Sequence, residues 1–186
     1  MNRSVTTKRL TIRNFIDGDW PYVYEYTKLE HVMAFVNHGM MTLGETIRFV
    51  NENIGGKPLA FPIIITDTNQ LIGHLTFTPY LSGHTYEIGW IIHPDFQGQG
   101  YASEAALAFI IHVFRYQKIH RIIARSSSEN KPSIRVMEKI GLRKEAHFKM
   151  CLPYGEKEWH DELVYATLRS EWLEKLTYPF VATFKK

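Results

Sequence analysis

The alternation of polar and apolar residues along short segments predicts several β-strands, because successive side chains of a strand point to opposite faces of a sheet. Residues 8–13, KRLTIR, show this alternation near the start of the chain. Three later runs are separated only by short turns, which favours an antiparallel meander. The predicted strands after the first lie at residues 60–67, 71–80, 84–92, 120–127, 142–152 and 158–168.

Residues that favour helix ends mark four predicted helices between these strands. They begin at Asp17–Asp19, at Thr42, near Gly100 and at Asn130. Thr42 and Glu45 have the spacing of a capping box, in which each side chain accepts a hydrogen bond from the other's backbone amide. The segment ALAFIIHVF after Gly100 is apolar nearly all round, so we expect its phenylalanines, Ile110 and Ile111 to lie in the core.

These elements together predict an α+β fold with one central, mostly antiparallel sheet flanked by helices. A chain of 186 residues fits one domain with a sizeable core. We expect residues 1–172 to form that domain and residues 173–186 to be a C-terminal tail of unknown role. The tail is the part of the sequence that the patterns describe least.

Charge and composition exclude several functional classes. The chain has 22 basic and 19 acidic residues without a long block of one sign, so we expect no specific nucleic-acid partner. Its longest apolar runs are far shorter than the roughly 20 residues that cross a bilayer, so we expect no membrane association. The single cysteine and the polar first residues indicate a cytoplasmic protein.

Metal and thiol chemistry are also not indicated. The sequence has nine histidines but neither an HExxH motif nor a close His-x-His pair, and we expect no metal. Cys151 and His147 are four residues apart on a predicted strand, which is too far to share a proton. Cysteine is more often a small core residue, so we expect no covalent intermediate on Cys151.

The segment from Gln97 to Ser103, QGQGYAS, connects an apolar strand to the long helix. The first turn of a helix has backbone amides without internal partners and a partial positive charge, and glycines let a ligand approach the backbone closely. Phosphate oxygens are the natural ligand. The P-loop motif is absent because Tyr101 and Ala102 follow Gly100, and the dinucleotide fingerprint would place Ser103 at its third glycine. A turn without any ligand also remains open.

Two motifs are similar to the signatures of the GNAT N-acetyltransferases. Gln97-x-x-Gly100-x-Ala102 resembles the loop that binds the acetyl-CoA pyrophosphate in this family. Residues 129–142, ENKPSIRVMEKIGL, resemble its second signature, an asparagine followed by a short helix. Residues 7–13, 87–90 and 159–165 are similar to the RimJ/RimL branch, which contains ribosomal-protein-alanine N-acetyltransferases.

The resemblance implies the acyl-CoA N-acyltransferase fold with splayed fourth and fifth strands, acetyl-CoA as the cofactor, and a set of cofactor-binding residues. Pantetheine is expected to pair with the backbone of the fourth strand, and the pyrophosphate with the loop amides, with Ser103 beginning the helix proper. Asn130 is expected to bind the pantetheine arm, although a role as helix cap is equally consistent with the sequence. The implied cofactor-binding residues are Trp90, Ile91, Ile92, Gln97, Gly98, Gln99, Gly100, Tyr101, Ala102, Ser103 and Asn130.

Two catalytic positions of relatives are replaced in this chain. Met137 occupies the position of a tyrosine that protonates the departing thiolate, and Arg125 that of a glutamate base. We expect Glu87 to replace the base and Ser133 to donate a hydrogen bond to the coenzyme sulfur. The alternatives are a solvated strand carboxylate at Glu87 and a helical Ser133 satisfied by the Asn130 cap.

The expected reaction is direct transfer of the acetyl group to a primary amine. The preferred acceptor is a protein N-terminal α-amine. Such an amine, with a pKa near 7.7–8.0, is roughly a tenth neutral at pH 7 and needs little help from a base. The alternatives are a polyamine or antibiotic acetyltransferase and a catalytically silent acyl-CoA-binding module. A polyamine pocket should need acidic residues in the helices. We expect a monomer or homodimer. The acidic residues in question are Glu25, Glu30, Glu45 and Glu52.

Overall fold

The structure is a computed structural model that describes residues 4–36, 38–81, 83–155 and 157–176. Its helices are α1 (Trp20–Thr27), α2 (Glu30–Met33), α3 (Leu43–Glu52), α4 (Tyr101–Tyr116), α5 (Lys131–Lys139) and α6 (Arg169–Leu176). Its strands are β1 (Val5–Thr6), β2 (Leu10–Ile12), β3 (Ala60–Ile65), β4 (Gln70–Tyr80), β5 (Thr85–Ile92), β6 (Arg121–Ser127), β7 (Arg143–Tyr154) and β8 (Glu158–Leu168). None of the helices in these ranges has the length and apolar character to cross a membrane.

The strands form a mixed sheet in the order β1-β2-β3-β4-β5-β6-β8-β7. The pairs β1–β2, β2–β3, β3–β4, β6–β8 and β7–β8 are antiparallel, whereas β5 and β6 are parallel. Pairing between β5 and β6 covers only three positions and ends at Glu87 and Ile123. Both strands continue beyond that point. The predicted fourth and fifth strands are therefore β5 and β6, and their short ladder agrees with the predicted splay.

The described residues fall into two compact units. Unit 1 consists of residues 4–77 and 90–109. Its core joins the inner face of α1 and α3 to strands β3 and β4, as expected for amphipathic helices that cover one face of a sheet. The residues of this core cluster are Phe15, Val23, Tyr26, Val50, Ala60, Ile64 and Leu71.

Unit 2 consists of residues 78–89 and 110–176. Strand β6 is its central strand and contributes Ile122, Ile123 and Ala124, all of them buried. Phe114 is fully buried and its ring lies 6.4 Å from that of Trp172 at the start of α6. The outer strand β7 is exposed along almost its whole length.

Most predicted elements are present, with a few differences at their ends. The glycine pair at 55–56 predicts that α3 runs to about Gly55, but the helix ends at Glu52, because the Asn53 side chain donates to the Phe49 carbonyl and accepts from the amides of Leu59 and Ala60. Strand β1 and helices α2 and α6 were not predicted. The predicted core positions Ile110 and Ile111 and both phenylalanines of α4 are buried.

Helix α6 and Cys151 lie in the C-terminal part of the chain. Helix α6 continues past residue 172, and residues 177–186 of the predicted tail lie outside the described residues. The expectation of a core cysteine is wrong, because Cys151 is exposed on the outer strand β7. Its thiol donates to the Phe148 carbonyl at 3.8 Å.

Candidate active site

Strand β5 leads directly into the glycine-rich loop in unit 1. Trp90 and Ile91 are half-buried at the end of this strand, and Ile92 is buried. A short 3₁₀ turn over Pro94–Phe96 then brings the chain to Gln97. The Gln97 side chain donates to the Ile92 carbonyl at 2.9 Å, which fastens the loop to the strand end.

The loop backbone requires its two glycines for conformational reasons. Gly98 has φ +74° and Gly100 has φ +81°, values in the left-handed region that β-carbons disfavour. Helix α4 begins directly afterwards at Tyr101, two residues before the predicted Ser103. The glycines therefore set the direction in which the loop amides point.

The loop amides differ in whether they have a partner. The Gln97 amide donates to the Pro94 carbonyl at 3.1 Å, so this predicted ligand amide is occupied within the loop. In contrast, the backbone amides from Gly98 to Ser103 donate to no other group in the part of the chain that the structure describes. This row of amides spans the loop and the first turn of the 16-residue helix α4, whose dipole makes that turn partly positive. The arrangement can accept an anionic group with several oxygens.

A cluster of side chains from the start of the chain holds this loop, and motif analysis did not predict its role. Glu104, in the first turn of α4, accepts hydrogen bonds from the Thr7 hydroxyl at 2.6 Å and from Nε of Arg9 at 2.7 Å. Arg9 also donates from Nη1 to the Gln99 carbonyl at 3.2 Å, and its guanidinium lies 4.5 Å from the centre of the Tyr101 ring. Burial raises the pKa of Glu104, but the hydrogen bonds from Thr7 and Arg9 outweigh it, and the net pKa is lowered.

The second signature forms a capped helix in unit 2. The Asn130 side chain accepts a hydrogen bond from the Ser133 amide at 3.2 Å, as expected for the residue that precedes α5. The Ser133 hydroxyl is half-buried and makes no hydrogen bond among the described residues. Met137, one turn further along, is completely buried. Both readings of Asn130 therefore remain compatible, because its amide NH₂ group is not used by the cap.

Glu87 is part of an ionic cluster in the same unit. Its carboxylate accepts from Nε and Nη2 of Arg125 at 3.2 Å and 3.1 Å, while Nη1 of Arg125 lies 3.3 Å from the Glu162 carboxylate. The Arg125 guanidinium also lies 5.3 Å from the centre of the Tyr80 ring. Burial lowers the pKa of Arg125, but the hydrogen bond and charge of Glu87, together with the charge of Glu162, raise it overall.

This cluster lies where the β5–β6 ladder ends, because Glu87 is the last paired residue of β5 and Arg125 is two residues beyond the last paired residue of β6. The Glu87 side chain is 25% exposed and paired with Arg125. Glu162 lies in the segment 159–165 that resembles the family, but a separation of 37 residues gives no indication in the sequence that it contacts Arg125.

The four helix glutamates that a polyamine site would need are all exposed. Glu45 is engaged in the capping box, where its carboxylate accepts from the Thr42 amide at 2.8 Å and from the Thr42 hydroxyl at 2.7 Å. These hydrogen bonds lower its pKa. Elsewhere in the described ranges, no group of three or more His, Cys, Asp or Glu residues is placed to hold a metal ion.

A second pair of titratable groups is fully buried in unit 1. The Tyr26 hydroxyl lies 2.7 Å from Nδ1 of His74, and neither side chain is appreciably exposed. Burial lowers the pKa of His74 to about 3 and raises that of Tyr26, so both groups are neutral near pH 7.

Comparisons with known proteins agree with this geometry. Residues 9–143 match the family described as Acetyltransferase (GNAT) domain. The Bacillus subtilis protein called Uncharacterized N-acetyltransferase YnaD is 49% identical over 90% of this chain and 98% of its own length. The [Ribosomal protein uS5]-alanine N-acetyltransferase of Escherichia coli is 27% identical over 90% of this chain and 92% of its own length.

Solved structures show the same fold. A GNAT-family acetyltransferase from Bacillus anthracis is 46% identical and superposes with a TM-score of 0.85 over 90% of this chain and 99% of that one. RimL, the ribosomal L7/L12 α-N-protein acetyltransferase, in complex with coenzyme A is 20% identical, with a TM-score of 0.77 over 89% and 98% of the two chains. The predicted fold, enzyme class and cofactor are thereby confirmed. The chain belongs to the GNAT acetyltransferase family and is an N-acetyltransferase that uses acetyl-CoA.

Proposed function

We propose that this N-acetyltransferase transfers the acetyl group to the α-amino group of a protein N-terminus. The observation that carries the proposal is the position of Arg125, whose guanidinium is paired with the carboxylates of Glu87 and Glu162. Because Oε2 of Glu87 already accepts two hydrogen bonds from Arg125, this carboxylate is not free to serve an ammonium group with a pKa near 10.4, which must lose its proton before it can attack. An α-amine is already partly neutral and does not need such a base. The similarity to the uS5-alanine enzyme supports the same acceptor class.

The cofactor is proposed to bind as the sequence predicts, with one adjustment. Trp90, Ile91 and Ile92 offer the strand backbone to pantetheine, and the amides from Gly98 to Ser103 bind the pyrophosphate. Because the Gln97 amide is already bonded to Pro94, Gln97 contributes through its side chain, which fastens the loop to β5. The amide NH₂ group of Asn130 is the proposed donor to the pantetheine arm.

The proposed reaction is a direct transfer in a ternary complex. The neutral amine attacks the thioester carbonyl, the carbon–sulfur bond breaks, and the coenzyme leaves as a thiolate while the new amide nitrogen releases a proton. Ser133 is proposed to donate a hydrogen bond to the sulfur, since its hydroxyl has no other partner among the described residues. Glu87 is proposed to receive the released proton, directly or through water. The acceptor is a cytoplasmic protein and the enzyme a monomer or homodimer in this proposal.

A competition between acceptors tests the proposal. Release of free coenzyme A is measured with peptides that begin with Ala, Ser or Met, with the same peptides blocked at the N-terminus but carrying an internal lysine, and with spermidine. The expected result is turnover of the free N-terminal peptides only. Turnover of spermidine that falls when Glu25, Glu30 or Glu52 is replaced by glutamine would instead establish the polyamine alternative.

The cofactor assignment has its own tests. Gly100→Val introduces a β-branched side chain at φ +81° and is expected to abolish binding of coenzyme A in calorimetric titration, while the fold still unfolds cooperatively. Asn130→Asp keeps an acceptor that caps α5 but removes the NH₂ donor, and is expected to raise the KM for acetyl-CoA without lowering the melting temperature. Unchanged affinity in both variants would refute the cofactor assignment.

A further inference from the structure

We propose that Arg9 is a positioning residue for the cofactor loop, acting through the orientation of the Gln99–Gly100 peptide and through the charge of Glu104. This inference rests on the proposed binding of the pyrophosphate by the amides from Gly98 to Ser103. The residues that carry it belong to unit 1. Arg9 is not part of the loop motif and precedes Gln99 by 90 residues along the chain.

The first effect of Arg9 is geometric. Its Nη1 donates to the Gln99 carbonyl at 3.2 Å. In a trans peptide the carbonyl and the following N–H point in opposite directions, and the described residues contain no cis peptide bond. Holding the Gln99 carbonyl toward Arg9 therefore aims the Gly100 amide away from Arg9, toward the side where the anion would bind. Gly100 at φ +81° allows this orientation.

The next peptide is fixed by the helix. The Gly100 carbonyl accepts from the Glu104 amide at 3.0 Å, so the following amide, that of Tyr101, also points away from the helix interior. The Tyr101 side chain packs against the guanidinium of Arg9. Arg9 thus contacts both residues that flank Gly100, and two successive donors of the loop are held before any ligand arrives.

The second effect of Arg9 is electrostatic. Glu104 is the only acidic side chain in the first turn of α4, where a carboxylate is attracted to the same amides that a phosphate would use. The carboxylate is instead held by Nε and Nη2 of Arg9, at 2.7 Å and 2.6 Å, and by the Thr7 hydroxyl. In Arg9→Gln the Thr7 hydroxyl and the backbone amide of residue 9 would still hold Glu104, but its negative charge would no longer be neutralised and would repel the pyrophosphate.

The experiment compares two thioester donors in the full-length enzyme. S-acetylpantetheine lacks the pyrophosphate, so a residue that acts on the phosphate loop should matter for acetyl-CoA alone. Arg9→Gln is expected to raise the KM for acetyl-CoA about tenfold, the effect of losing about one charge-assisted hydrogen bond. Its kcat with acetyl-CoA and its kcat/KM with S-acetylpantetheine should stay close to the wild-type values.

Further variants separate a positioning role from a structural one. Arg48→Gln removes the same charge from an exposed site of unit 1 and should leave both donors unaffected. Arg9→Lys keeps the charge but not the forked donor geometry, so its KM for acetyl-CoA should fall between those of the wild type and Arg9→Gln. An equal loss of kcat/KM with both donors in Arg9→Lys, or wild-type affinity in Arg9→Gln, would overturn the inference. Unchanged affinity in Gly100→Val would reject the loop assignment itself, whatever Arg9 does.

Discussion

Removing Arg125 should reveal how unequally its two carboxylate partners stabilise unit 2. Glu87 receives two donors of the guanidinium, at 3.1 Å and 3.2 Å, whereas Glu162 receives one at 3.3 Å. Coulomb's law for one charge pair at 3.1 Å and an effective dielectric constant of 20 gives about 5 kcal/mol. The side chains of Arg125 and Glu87 are 31% and 25% exposed, so water and desolvation reduce this value considerably.

We therefore expect a coupling free energy of about 1–2 kcal/mol between Arg125 and Glu87 and about half of that between Arg125 and Glu162. The assay is urea unfolding of the Arg125→Gln, Glu87→Gln and Glu162→Gln variants and of the two double variants that contain Arg125→Gln. Two double-mutant cycles then give the pairwise terms directly. The exposed Arg135→Gln on α5 serves as the control for loss of a positive charge, with an expected change within about 0.5 kcal/mol.

The result that would refute this reasoning is a coupling to Glu162 that equals or exceeds the coupling to Glu87. In that case the guanidinium would be held mainly across β6 and β8, and the contacts to β5 would contribute little. A coupling near zero in both cycles would show that solvent screens the whole cluster. Arg125 would then not restrain Glu87, and the proposed preference for an α-amine would lose its support.

Two further predictions concern unit 1. Burial lowers the pKa of His74 to about 3, from a value near 6.5 in the unfolded chain. As the pH falls, the unfolded chain therefore binds a proton before the folded chain does. The unfolding free energy should accordingly fall from pH 6.5 toward pH 3, by up to about 1.4 kcal/mol per pH unit. In Tyr26→Phe/His74→Phe this slope should be shallower, and an unchanged slope between pH 7 and 4.5 in chemical denaturation would contradict the assignment. Gly73→Ala would place a β-carbon 2.2 Å from the Ile91 carbonyl oxygen and should cost about 2 kcal/mol or more, whereas Gly18→Ala meets nothing within 4 Å. Equal melting temperatures for these two glycine variants would show that β4 and β5 adjust freely.

Local sequence signals predicted those parts of the fold whose cause lies within a few residues. The capping box is an example, since Thr42 and Glu45 exchange the two hydrogen bonds that their spacing indicates. The Asn130 cap follows the same logic. Short elements such as β1 and α2 carry too few residues for a period to be seen, and their positions depend on the strands and helices that they contact.

In the candidate site, too, features with a local cause could be predicted from the sequence and contacts between distant residues could not. Glycines at 98 and 100 could be identified from the sequence because their backbone requirement is local. The partners of the loop could not, because Thr7 and Arg9 reach Glu104 across a separation of more than 90 residues. The family motif at the start of the chain was visible in the sequence, but a motif gives no information on which distant residue its side chains contact.

Arg125 lies at the position where some relatives are expected to have a glutamate base. Only the tertiary structure shows which charges surround it. Taken alone, a cation at this position argues against catalysis, since it would repel an ammonium group. In the folded chain, β5 and β8 each bring one carboxylate to Arg125, and the three charges sum to one net negative charge. In the proposed reaction the cluster would therefore still attract a cationic amine, while Arg125 occupies Oε2 of Glu87 with two hydrogen bonds. That combination favours an acceptor that is charged enough to be attracted and has a pKa low enough to lose its proton easily, which describes an α-amine better than a lysine or polyamine.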